Sequence, residues 1–330
     1  MDRRTLLATG VAVALPLRAF ALDTPIEGDG QVPSDPTEIM ALWPGTPPGG
    51  EGVSLPSWRA HVRTPPALRL ADRAIDRVGR PQLDVFRPDR PDGAAMIIAP
   101  GGAYTNEVFD LEGMDIARHF NAMGVTCFML RYRLPAEGWA QRSDVPLQDA
   151  QRAMRLVRAN AARYGIDPLR IGFMGFSAGG HLACSIATRF DAPVYGAVDA
   201  ADAVSARPDF SLPIYPVVTM GEGTHAGSRD HLLGAGAMPQ QIDAYSCERH
   251  VHANTPPTWL CLAADDNVVP PLPNAGAYLV ALRGAGIAVE MHMFESGGHG
   301  FGIAGTVGKP VAEWPALLAL WARSHGFFKA

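Results

Sequence analysis

The chain has 330 residues, 47% of them apolar and 18% charged, with a formal net charge of −5. This is an ordinary balance for a globular protein, and the mild acidity without any basic stripe speaks against a nucleic-acid partner. The four cysteines (Cys127, Cys184, Cys247 and Cys261) have no metal-ligand spacing; Cys127 and Cys261 fall in apolar strand-like runs and Cys184 in a helix-like one. They are expected as buried free thiols.

The chain opens MDRRTLLATGVAVALPLRAFA, with Arg3 and Arg4 ahead of an apolar stretch from Leu6 to Leu17 and then Ala19-Phe20-Ala21. A charged region, a short apolar region and a small-residue cleavage site predict an export signal over residues 1–21, too short to span a membrane. The paired arginines look like a twin-arginine signal, which exports folded protein. An exported, periplasmic or secreted chain beginning near Leu22 is expected, with no membrane association once the signal is removed. Residues 22–80 are rich in Pro and Gly, as in WPGTPPGGEGVSLP, and predict an irregular N-terminal arm.

From residue 81 to 330 strands and helices alternate. QLDVFRP reads as a strand, and AAMIIAP (94–100) as a strand buried on both faces. A helix is expected over about 111–123, then a buried strand in VTCFMLRYRL. PLQDAQRAMRLVRANAARYG is amphipathic, with Ala150, Ala153, Met154 and Val157 at helical spacing and Gly165 closing it. RIGFMG is a strand, followed by a helix over about 177–189. FSLPIYPV and PTWLCLAA are strands, a helix follows near 275–283, AVEMHMF is the last strand and WPALLALWARSHGF the last helix. Such alternation implies an α/β fold with a mostly parallel sheet covered on both faces. Residues 216–257 break the rhythm and read as an insertion.

In a parallel sheet, chemistry collects at the carboxyl ends of the strands. Gly175-Phe176-Ser177-Ala178-Gly179 fits G-x-S-x-G at a strand-to-helix junction, the context that motif requires. Ser177 could be a helix N-cap; as a nucleophile it needs a base and an orienting acid, in the order serine, acid, histidine. CLAADDNVVP offers Asp265 and Asp266 at a strand end, and FESGGHGFG offers His299 among four glycines. His181, four residues after Ser177, is the rival base and reads as a structural partner. Oxyanion donors are expected from the Ala178 amide and from Gly102 or Ala103 in PGGAY, after the AAMIIAP strand. No cofactor is signalled.

APGGAYTNEVFDLEGMDIARHFNAMGVTCFMLRYRL, PLQDAQRAMRLVRANAARYGIDPLRIGFMGFSAGGHLA, ADDNVVP and GGHGFG together resemble exported bacterial α/β-hydrolases of the acetyl xylan esterase type, from about Leu42 to the C-terminus. The resemblance implies a cofactor-free carbohydrate esterase that removes acetyl or feruloyl groups from plant polysaccharide fragments. It carries the triad onto Ser177, Asp266 and His299, and leaves Glu112 and Asp149 as polar scaffold groups. PLPNAGAYL, after the acid, departs from the valine-glutamate-asparagine run of many relatives and alters the rim of the site. The competing readings are a general short-chain carboxylesterase or arylesterase, a serine peptidase, and a catalytically silent carbohydrate-binding protein.

Overall fold

A computed structural model describes residues 35–63 and 72–329. The export signal expected over 1–21 lies outside these residues. The first strands are β1 (Ile39–Ala41), β2 (Arg59–Val62), β3 (Arg73–Asp76) and β4 (Gln82–Phe86). β5 (Ala95–Ala99), β6 (Glu107–Val108) and β7 (Thr126–Arg131) follow. The last four are β8 (Ile171–Phe176), β9 (Phe210–Ile214), β10 (Thr258–Ala263) and β11 (Val289–Phe294). The helices are α1 (Asp115–Ala122), α2 (Val145–Ala159), α3 (Ala161–Tyr164) and α4 (Ser177–Arg189), then α5 (Ala226–Leu233), α6 (Pro239–Tyr245), α7 (Ala277–Gly284) and α8 (Trp314–Ser324).

The main sheet runs β1-β4-β7-β5-β8-β9-β10-β11. It is parallel from β7 to β11, and β4 is antiparallel to both its neighbours. Every residue of β5, β7 and β8 is buried, as the continuous apolar runs require of strands covered on both faces. Alternate residues point to opposite cores. Met96, Ile98, Met129 and Met174 pack with Phe120, Trp314 and Leu318 of α1 and α8. Ala95, Ile97, Phe128 and Phe173 pack with Met154, Val157, Leu182 and Ile186 of α2 and α4. Each large side chain so buried stabilises the fold by about 1.5–3 kcal/mol. All four cysteines are buried and free. Among the described residues no helix is long and apolar enough to cross a membrane.

The stretch expected as an irregular arm over 22–80 holds three strands. β1 joins the main sheet, and β2 and β3 form a small antiparallel sheet with β6. The main sheet therefore begins before residue 81. Strands of three or four residues among prolines and glycines carry too little periodicity to stand out in the sequence. The helix expected over 111–123 opens with a wide turn at Asp110–Met114, and the 145–165 helix breaks at Asn160 into α2 and α3. Between β9 and β10 lie α5 and α6.

Two buried polar knots hold this frame. Asp149 of α2 accepts from the Arg133 guanidinium (2.8 Å) and from the Trp43 indole N–H (2.8 Å). Arg133 donates onward to the Pro48 carbonyl at 2.7 Å. This ties ALWPGTPPG to the sheet, and neither partner of the ion pair touches solvent. The second knot is His181 of α4. Its Nε2–H donates to the Tyr245 carbonyl (2.8 Å), so Nδ1 is left to accept from the Tyr104 hydroxyl (2.8 Å). Burial lowers its pKa to about 4.

Removing the Asp149 carboxylate leaves a buried, unpaired guanidinium, an error that costs about 3–5 kcal/mol. Urea unfolding of Asp149→Ala should show a loss of this size; a midpoint equal to wild type would refute the role. His181 binds its proton more readily unfolded, near the ordinary value of 6.5, than folded, at about 4. Its contribution is therefore fully present above about 6.5 and is lost as pH falls towards 4, by about 3 kcal/mol. Stability measured between pH 7.5 and 4 should fall less steeply in His181→Gln. Parallel curves would place the acid sensitivity elsewhere.

Candidate active site

Ser177 is the first residue of α4, and its backbone has φ +52°, a left-handed conformation rare for a residue with a side chain. The flanking glycines make this turn possible. A Cβ on Gly175 would lie 1.9 Å from the Gly179 carbonyl oxygen, and one on Gly179 would lie 2.2 Å from that of Ala99. Phe176 occupies the N-cap position, so the Ser177 hydroxyl does not sit where a helix cap would. It donates instead to His299 Nε2, 2.8 Å away. The N-cap reading therefore gives way to a hydroxyl hydrogen-bonded to an imidazole.

His299 Nδ1–H donates to Asp266 Oδ2 at 2.6 Å, which leaves the Nε2 lone pair facing the serine. The other carboxylate oxygen, Oδ1, accepts from the Val268 and Val269 amides at 2.9 Å each. Burial pushes the Asp266 carboxyl up, but the His299 hydrogen bond and charge and the two amides outweigh it and hold the group below the ordinary carboxylate range. Asp265 points elsewhere. It accepts from the amides of Gly297 (2.9 Å) and Gly298 (2.7 Å), bracing the loop that carries His299. The structure thus joins Ser177, His299 and Asp266 in one hydrogen-bonded chain, with Asp265 behind it and His181 outside it.

The loop after β5 faces the serine. A Cβ on Gly101 would lie 2.8 Å from the Ser177 Cβ. The Gly101 carbonyl accepts from Val108 N–H (2.8 Å) and the Gly102 carbonyl from Thr105 N–H (3.0 Å). In a trans peptide the following N–H points the opposite way, so the Gly102 and Ala103 amides turn away from these partners. The Ser177 carbonyl accepts from Val217 N–H at 3.1 Å, which turns the Ala178 amide away likewise. Ala103 and Tyr104 both hold positive φ, +55° and +61°.

Contacts far apart in sequence hold this strained loop. Glu112, in the wide turn before α1, accepts from Gly101 N–H through Oε2 (2.8 Å) and from the Tyr215 hydroxyl through Oε1 (2.9 Å). Burial pushes its carboxyl above the ordinary range, against the pull of nearby His299, the Gly101 amide and the Tyr215 hydroxyl. Tyr215 also accepts from Gly302 N–H (3.2 Å), and its ring packs edge-on against His299, 5.0 Å between centroids. From α5, His231 Nδ1–H donates to the Ala103 carbonyl at 3.1 Å. Neither Tyr215 nor His231 stands out in the sequence; a tyrosine at the carboxyl end of a buried strand was the one available signal.

The BD-FAE family model matches residues 83–275. An acetylxylan esterase of Xylanibacter ruminicola is 35% identical over 228 residues, 68% of this chain and 44% of the relative. Endo-1,4-beta-xylanase B of Butyrivibrio fibrisolvens is 36% identical over 209 residues, 63% of this chain and 32% of the relative. The chain thus spans less than half the length of either curated relative. The crystal structure of an acetyl ester-xyloside bifunctional hydrolase from Caldicellulosiruptor lactoaceticus superposes with a TM-score of 0.73 at 32% identity, over 89% of this chain and 98% of that one. A family match over more than half of the sequence, on this mostly parallel sheet with helices on both faces, makes the chain a member of the BD-FAE family with the α/β-hydrolase fold.

Proposed function

We propose that this chain is a serine carboxylesterase that removes acetyl groups from xylan or xylo-oligosaccharides through an acyl-enzyme. The Ser177–His299–Asp266 chain carries the proposal, with its nucleophile, base and orienting acid in hydrogen-bond contact. The substrate class rests on the likeness to a named acetylxylan esterase and an acetyl ester-xyloside hydrolase. An export signal over 1–21 fits this reading, since a polymer must be met outside the cell.

In the first half-reaction His299 Nε2 takes the Ser177 proton as Oγ attacks the ester carbonyl. The oxyanion is held by the Ala178 amide together with Gly102 or Ala103. His299 then returns the proton to the departing sugar hydroxyl, leaving acetyl on Ser177. Water, deprotonated by the same nitrogen, attacks the acyl-enzyme; acetate leaves and Ser177 recovers its proton. Asp266 keeps Nδ1 protonated and stabilises the imidazolium between transfers.

Acetate release from acetylated xylo-oligosaccharides, beside nitrophenyl acetate and dipeptide amides, tests the substrate. Turnover of the aryl ester alone would favour a general short-chain esterase. Ser177→Ala should lower kcat by about 10⁴-fold or more with an unchanged melting curve. Wild-type turnover in that variant would end the assignment. Asp266→Asn should cost about 10⁴-fold by holding His299 in the wrong tautomer. Asp265→Asn should lower stability first and turnover much less, and the reverse ranking would exchange the two roles.

A further inference from the structure

A cavity of about 490 Å³ lies beside Trp58, bordered by Asp35, Ser57, Arg80, Gln82 and Arg131. Its size is within the range of small-ligand sites. Trp58 is 36% exposed, although the Arg131 guanidinium lies 4.6 Å from its ring centre. Arg131 is itself fixed, by Asp84 at 2.7 Å and by the Phe109 ring on which it also stacks. The tryptophan's segment is pinned by Gly79 N–H to the Pro56 carbonyl (3.0 Å) and Arg80 N–H to the Ser57 carbonyl (3.2 Å). A large aromatic surface is thus presented on a rigid frame, with donors and acceptors along part of the rim and Pro36, Ile39, Ala41 and Pro81 along the rest. Asp35 is already paired with Arg73 and Arg131 with Asp84, while Arg80 has no ion pair among the described residues and is left to donate to a ligand oxygen. An apolar plate with a polar fence matches a sugar ring, whose C–H face stacks while its hydroxyls reach sideways.

Register ties this cavity to the serine. Ala41, Gln82 and Arg131 are partners across β1, β4 and β7, and Arg131 ends β7 at the sheet's carboxyl edge. The next strand, β5, runs at that edge into Gly101, and the one after it, β8, into Ser177. The cavity reaches from Arg131 of β7 across Gln82 of β4 to Ile39 and Ala41 of β1, so it lies two to four strand spacings, roughly 10–20 Å, from β8. We infer that the Trp58 cavity is a second carbohydrate subsite, holding a sugar ring of the same oligosaccharide whose acetyl group lies at Ser177. The inference rests on the esterase reading above.

Two measurements test it. In the first, the Ser177→Ala protein is titrated calorimetrically with unacetylated xylotetraose, which needs no turnover. Binding is expected, weakened about tenfold by an added Trp58→Ala and largely kept by Trp58→Phe. Gln82→Ala gives an independent variant should Trp58→Ala fold poorly, and should also weaken binding. In the second, kcat/KM is compared on acetylated xylo-oligosaccharides of increasing length and on nitrophenyl acetate. The gain with length should vanish in Trp58→Ala while the aryl ester is unaffected. No binding of xylotetraose, or equal binding with and without Trp58, would overturn the subsite. Failure to deacetylate any xylo-oligosaccharide, with nitrophenyl acetate still hydrolysed, would instead overturn the substrate reading, and the titration would still decide the cavity.

Discussion

The candidate site depends on one strained turn, the left-handed Ser177 between β8 and α4. Such a conformation costs about 1–3 kcal/mol and persists only when its surroundings over-determine it. Here they do. β8 is buried along its whole length between β5 and β9, and α4 is buried from Ser177 to Thr188. The facing loop stores matching strain at Ala103 and Tyr104, and the Tyr104 hydroxyl reaches across to His181 on α4. Elbow and loop therefore brace one another, and His181 holds that brace while the Ser177 hydroxyl bonds to His299.

The parts of the fold that could be read in advance were those written in local chemistry. β5, β7 and β8 are unbroken apolar runs, α2 shows a 3.6-residue stripe, and the elbow has its glycines at fixed offsets. The order of serine, acid and histidine then followed from the strand order. Choosing Asp266 over Asp265 needed the family resemblance, and the geometry agrees with it, since Asp265 spends its carboxylate on the Gly297 and Gly298 amides. β1–β3 were hidden because a three-residue strand has no period. Tyr215 and His231 were hidden for another reason. Each matters through a partner about a hundred residues away (Glu112 and Ala103), and no local pattern encodes such a contact.

Two carboxylates stand near His299, and their environments divide the work. Asp266 bonds the imidazole directly and is held below the ordinary range by that bond and by two amides, so it stays an acceptor that fixes the tautomer. Glu112 feels the charge of His299 but bonds to Tyr215 rather than to the imidazole, and burial pushes its carboxyl the other way. What it holds is geometry. One oxygen fixes Gly101, where the loop expected to bind the oxyanion begins, and the other fixes Tyr215, which supports the loop carrying the base. Without it, both the Gly101 amide and the Tyr215 hydroxyl would lose an acceptor in a place closed to water. A single buried group thus spans the two ends of the proposed acyl transfer. A shift of the donor loop would be felt by His299, and a shift of His299 would be felt by the donors.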